Sequence, residues 1–135
     1  MPHFIHRFPV NWVDTDGLAV VHFSNYLRYF EKTEEEFYRS AGGESSLMRE
    51  RGIAFPRVEV KCTYTYPCRY GDIVQTEIWL DRLTDRSVRI NFIVKNVSED
   101  RVSAEGYAVL VCVETAGWKA AVIPDEVREI FEKLR

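Results

Sequence analysis

Between Val13 and Glu31 the chain reads VDTDGLAVVHFSNYLRYFE. Two carboxylates, Asp14 and Asp16, flank one threonine, and a glycine, a short apolar run, His22 and a segment of helical spacing follow. Carboxylates placed this way can hold a cation, attack as nucleophiles, accept a proton, or cap the helix they precede. The calcium-loop reading fails on spacing, because the twelfth position counted from Asp14 is Asn25, where a bidentate Glu is needed. Capping is worth about 0.5 to 2 kcal/mol, through the free N–H groups and dipole of the helix end. It stays open beside a chemical role.

The elements that position these acids are legible from their periods. Phe4 to Val13 reads as a strand, and Pro9 within it points to an edge or a bulge. From Ser24, residues Tyr26, Tyr29, Phe30, Thr33, Phe37 and Ala41 recur at helical steps with Arg28, Lys32, Glu35 and Arg39 opposite, until Gly42-Gly43. Ser45 to Arg51 reads as a shorter helical turn ended by Gly52. Val58, Val60, Cys62, Tyr64 and Tyr66 then alternate with polar neighbours, the pattern of a strand with one polar face. Cys68 to Asp72 breaks it, and Ile73–Leu83, Val88–Val97 and Val102–Val113 read as three more strands. Pro124 opens a last helix with Val127, Ile130, Phe131 and Leu134 on one face. The later connections are too short for parallel crossovers, so the expected fold is α+β, a largely antiparallel five-stranded sheet with the long helix on one face. A D-x-D-G after a strand also opens phosphatases of the haloacid dehalogenase type. That likeness is local, since their fold needs a parallel sheet and further acidic motifs.

With 135 residues, 46% of them apolar and 13% aromatic, the chain suffices for one core and is too short for two ordinary domains, so residues 1–135 are expected to form a single domain. A net charge of −3 with acids and bases interleaved argues against nucleic-acid binding, which wants a basic stripe. MPHFIHRF lacks the apolar core of a signal peptide and no apolar run approaches a membrane span, so the expected address is the cytoplasm. Cys62, Cys68 and Cys112 are odd in number and lack metal-ligand spacing. They are expected to be reduced, with Cys62 and Cys112 in the core.

The string DTDGLAVVHFSNYLRYFE, followed by this strand order, resembles the acyl-CoA thioesterases of the hotdog fold, in the group typified by 4-hydroxybenzoyl-CoA thioesterase and the Tol-Pal-associated thioesterases. The resemblance covers nearly the full chain. It rests on D-x-D, the small-residue segment, V-V, the aromatic or His pair, N-Y, the helix to Glu31, and YGD at Tyr70 to Asp72. It implies a hotdog fold, a sheet wrapped around one long helix with a short C-terminal helix. It also implies a thioester hydrolase with no metal or cofactor, coenzyme A being part of the substrate, and a homodimer or homotetramer with each site built between subunits. By the same resemblance Asp16 is the catalytic carboxylate, and Arg86 matches one basic position of a turn that contacts the nucleotide. Ala19 stands where many members have glycine.

The residue types suit such a reaction. A thioester is already activated, so hydrolysis needs one carboxylate, as nucleophile or as base for water, and donors aimed at the carbonyl oxygen. The N–H groups of His22, Phe23 and Ser24 at the helix N-terminus are the expected donors. Asn25 is placed to orient a water or the carboxylate, Asp14 to fix the loop through backbone hydrogen bonds. His22 touches the thioester or pantetheine, or serves the structure. Tyr26 is expected in the core, as are most of Trp12, Phe23, Phe30 and Tyr64, with a minority lining an acyl pocket. The other reading is a non-catalytic hotdog module that binds acyl-CoA, an acyl carrier protein or a protein partner.

Overall fold

The computed structural model describes residues 3–42 and 45–135. Five strands, β1 (Phe4–Pro9), β3 (Arg57–Tyr64), β4 (Ile73–Leu83), β5 (Ser87–Asn96) and β6 (Arg101–Val111), form one antiparallel sheet in the order β1-β4-β5-β6-β3. β1 and β3 are its edges, which suits Pro9, since proline has no N–H for a ladder. The first strand ends at Pro9 instead of Val13. Asn11 donates its N–H to Asp14 Oδ2 at 2.9 Å and Asp14 its N–H to the Asn11 carbonyl at 3.0 Å, folding Trp12–Asp14 into a 3-10 turn. Trp12 and Val13 are therefore 80% and 86% exposed, and Trp12 is not a core residue.

Helix α1 (Asn25–Ala41) lies on one face of the sheet, with Tyr26, Tyr29, Phe30, Thr33, Glu34 and Phe37 buried. Gly42 ends it in the left-handed region at φ 77°, which glycine adopts without steric cost. Gly43, the second half of the expected stop, is outside the described residues. The inward residues of β4 and β5 alternate strictly, and Val74, Ile78, Val88, Ile90, Phe92 and Val94 are fully buried. Phe30 stacks on Phe92 at 4.7 Å. Each such side chain contributes roughly 1.5–3 kcal/mol by leaving water.

After α1 come α2 (Ser45–Glu50) and β2 (Ile53–Ala54). The strand expected to reach Val113 stops at Val111. Cys112 donates its N–H to the Arg86 carbonyl at 2.8 Å, and the chain turns into β7 (Val113–Glu114) and β8 (Lys119–Ala120), which pair with β2 as a second, three-stranded sheet. Helix α3 (Asp125–Glu132) buries Val127, Ile130 and Phe131, the last ring meeting Phe55 edge-on at 5.2 Å. Cys68 and Cys112 are fully buried, Cys62 is half-buried, and all three are free thiols. Among the described residues no helix is long and apolar enough to cross a membrane.

The antiparallel order gives the sheet two distinct ends. At one, β1 finishes, β4 begins, and residues 10–24 meet Cys68–Asp72. At the other stand the 84–87 turn, the start of β3 and the small sheet. The ten residues of β5 separate these ends by roughly 30 Å at about 3.3 Å per residue.

Candidate active site

Residues 15–21 form a tight loop pinned at its base. Thr15 and Val21 bridge each other, Val20 bridges Arg69, and Val21 donates its N–H to the Cys68 carbonyl at 2.8 Å. Asp16 heads the loop. Its N–H donates to the Val20 carbonyl at 2.9 Å, its carbonyl accepts from Ala19 N–H at 3.0 Å, and its Oδ1 accepts from Leu18 N–H at 2.8 Å. The turn requires φ +64° at Ala19, the left-handed region that favours glycine. The other oxygen of Asp16 has no protein partner among the described residues. The half-buried Asp16 lines a cleft of about 340 Å³ with Val20, Val21, Phe23, Tyr26 and the chain from Tyr64 to Pro67.

The two acids have separate duties. Asp14 Oδ2 accepts from the Asn11 N–H and from the Tyr29 hydroxyl at 3.0 Å, while its carbonyl accepts from His22 N–H at 2.9 Å and from Asn25 Nδ2 at 2.8 Å. Burial, with the Asp14 charge beside it, pushes the Tyr29 hydroxyl far above its ordinary range, so it remains a donor. Asp14 thus ties the 3-10 turn to the start of α1, the loop-fixing part expected of it. Asn25 also belongs to this tie. Its amide meets the Asp14 carbonyl rather than the Asp16 carboxylate.

Of the three amides expected as oxyanion donors, two are committed. His22 N–H serves Asp14, and Ser24 N–H donates to His22 Nδ1 at 3.2 Å. Phe23 N–H alone of the three carries no hydrogen bond among the described residues, and Phe23 lines the Asp16 cleft. The His22 ring stacks on Phe23 at 4.3 Å and its Nδ1 lies 2.8 Å from Ser24 Oγ. Accepting from Ser24 N–H leaves the ring proton on Nε2. His22 therefore shapes this corner by holding Ser24 and Phe23. Ser24 precedes the first residue of α1 and makes no side-chain cap.

Tyr26 is buried at 4% exposure yet forms one wall of the cleft, with Tyr64 edge-on at 5.3 Å. Tyr64 donates its hydroxyl to the Phe23 carbonyl at 3.1 Å and is itself pushed up to about 12, chiefly by burial. Phe23 is 64% exposed and is no core residue. The chain from Thr65 to Pro67 was not an expected part of the site. It enters because β3 ends beside the Asp16 loop, a juxtaposition with no local signal. Arg86 lies in the 84–87 turn, at the far end of the sheet from Asp16. Arg89, three residues on in β5, pairs with Asp81 at 3.0 Å and sits over the Tyr107 ring at 3.7 Å.

Residues 10–131 match the family model of the thioesterase-like superfamily. A hypothetical protein of Aquifex aeolicus is 34% identical in sequence, with a TM-score of 0.87 over 95% of this chain and 98% of that one. The acyl-CoA thioesterase YbgC of Haemophilus influenzae is 24% identical, covering 95% of each chain. Slr0204, a 1,4-dihydroxy-2-naphthoyl-CoA thioesterase from Synechocystis, superposes with a TM-score of 0.89 over 96% of this chain and 95% of that one, and at 19% identity speaks to the fold alone. The hotdog architecture is therefore as expected, with an antiparallel sheet, one long helix and a short C-terminal helix, and the chain belongs to the thioesterase-like superfamily.

Proposed function

We propose that this protein hydrolyses acyl-CoA thioesters to the free acid and the CoA thiol. The observation that carries this is that Asp16, with one oxygen free of partners among the described residues, and Phe23, whose N–H has none among them, line the same cleft. With the thioester carbonyl oxygen on Phe23 N–H, its carbon faces Asp16. The carboxylate either attacks it, giving an acyl-enzyme anhydride that water cleaves, or takes a proton from a water that attacks. In both routes the carbon–sulfur bond breaks, the thiolate leaves and a proton is returned to sulfur. The amide of Phe23 stabilises the oxyanion, and Asp14, Tyr29, His22 and Asn25 hold that amide in place.

Within the superfamily we place the chain in the 4-hydroxybenzoyl-CoA and Tol-Pal-associated group, because its carboxylate sits on the loop before the helix. We also propose a homodimer formed across the β3 edge. Val58, Val60 and Tyr64 are 62%, 43% and 45% exposed along that edge. A two-fold axis there sets the start of one β3 against the end of the other. The partner's end of the sheet that carries the 84–87 turn then comes beside the Asp16 cleft, which is how Arg86 comes to serve a nucleotide roughly 30 Å from its own Asp16.

The test is turnover of an acyl-CoA panel with thiol detection. Asp16→Asn is expected to keep its fold and lower kcat by at least about 100-fold, since general acid–base or nucleophilic catalysis is worth that much. Near-wild-type turnover in that variant rules out Asp16.

A further inference from the structure

Glu34 is a buried acid that the proposed hydrolysis does not use. It lies on α1 at 2% exposure, ion-paired with Arg57 at the start of β3 and accepting the Tyr38 hydroxyl. Arg57 also donates to the Phe55 carbonyl at 3.2 Å and keeps 39% of its side chain exposed. The pair borders a second cleft of about 180 Å³, whose other walls are Leu27, Phe30, Glu31, Val60 and Ala108. Both clefts lie on the seam between α1 and β3. Phe23 and Tyr64 belong to the Asp16 cleft, and Val60 and Glu34 to the other. The two clefts share no lining residue, but Tyr26 of the first and Leu27 and Phe30 of the second follow one another along α1, so the side chains bordering the step between them are chiefly apolar, with Glu31 adding a carboxylate at the second cleft.

We propose that the Glu34–Arg57 pair is the distal wall of an acyl groove along this seam, so that the protein accepts acyl chains of up to about ten carbons and rejects longer ones. This rests on the thioesterase reading above and names its substrate class. From Phe23 to Glu34 is eleven residue steps, nine of them within α1 and two in the turn before it, roughly 16 Å when the turn is counted at the helical rise of 1.5 Å per residue. Leaving a contact distance of about 3.5–4 Å at the end, an extended chain advancing about 1.3 Å per carbon reaches the pair at about its tenth carbon. A longer chain must push its apolar end against a buried carboxylate and the part-exposed guanidinium paired with it, and parting them would strand the buried charge.

The test is calorimetric binding of non-hydrolysable S-alkyl-CoA thioethers carrying hexyl, decyl and hexadecyl chains. For the wild type, affinity should climb from hexyl to decyl, by up to about fourfold per buried methylene, and then stop or fall at hexadecyl. Replacing both charges together, Glu34→Met with Arg57→Met, removes the pair without stranding either ion. It should raise the hexadecyl-to-decyl affinity ratio at least about tenfold. Leu27→Phe, which narrows the groove before the pair, should end the climb short of decyl even if the double variant fails to fold. A wild type whose affinity climbs through to hexadecyl overturns the proposal, as do a folded double variant with the wild-type ratio and a wild type that binds none of the thioethers. Hydrolysis of decanoyl-CoA, followed in parallel, addresses the parent reading separately. Chain-length discrimination without turnover leaves the wall standing and removes the hydrolase.

Discussion

Asp14 and Asp16 are two residues apart and differ in what they already hold. Asp14 is spent on Asn11 and Tyr29, whereas one oxygen of Asp16 has no partner among the described residues. Between Asp16 and the helix, Ala19 occupies a left-handed position at φ 64°. That conformation costs a β-carbon roughly 1–2 kcal/mol, against about 0.4–1 kcal/mol of unfolded-state entropy that glycine would add. Ala19→Gly should therefore leave the melting temperature unchanged or raise it by up to about 5 °C in a thermal scan, equivalent to about 0 to 1.6 kcal/mol. A lower melting temperature would mean that the methyl group makes contacts worth more than the strain.

At the scale of elements, the sheet depends on one close approach. A β-carbon at Gly106 in β6 would lie 1.8 Å from the Lys61 carbonyl oxygen in β3, with the backbone of Cys62 also within contact. The obstruction is backbone on a paired strand, so neither a rotamer change nor a small shift relieves it. Gly106→Ala should separate β3 from β6 and lower stability by about 3 kcal/mol or more, read as a fall in the denaturant midpoint or loss of soluble protein. Because β3 carries Tyr64 to the Asp16 cleft, any folded fraction should also lose turnover. A midpoint within error of wild type would show that the strands can slide apart without cost.

At the scale of the molecule, Asp16 and Arg86 stand at opposite ends of one sheet, and the proposed two-fold joins them between subunits. A mixed dimer tests this directly. Asp16→Asn homodimers should be inactive, and Arg86→Ala homodimers should show a KM for acyl-CoA raised several-fold with kcat little changed, because the lost contact is remote from the thioester. When the two variants exchange subunits, each mixed dimer regains one site with both residues intact. Low-KM turnover should then appear, reaching up to half of wild type if every dimer is mixed. A mixture that never regains low KM would place the two residues in the same chain's site or remove Arg86 from binding. Light scattering supplies the companion measurement, since a particle at the chain mass of 15.8 kDa at micromolar concentration contradicts the dimer.

The residues by themselves settled what depends on local chemistry and period. The alternation through β4 and β5, the helical stripe from Tyr26 to Phe37 and the turns between strands are short-range patterns, and together they specify an antiparallel sheet with a helix on one face. The loop acids were visible for the same reason, as two carboxylates ahead of a helix end. The early end of β1 was hidden, because Trp12 and Val13 continue the strand alternation while Asp14 folds the chain back on Asn11. The small sheet of β2, β7 and β8 was hidden because two-residue strands carry no period. Tertiary structure alone decided which helix-end amides are free, since the carbonyl that occupies His22 N–H belongs to Asp14, eight residues upstream. It alone buried Glu34 against Arg57, twenty-three residues away, and set Arg86 at the far end of the sheet from Asp16. A sequence pattern reports which face of an element avoids water. It does not report which element arrives to cover that face, and the candidate site and its proposed acyl groove are both built where β3 arrives beside α1.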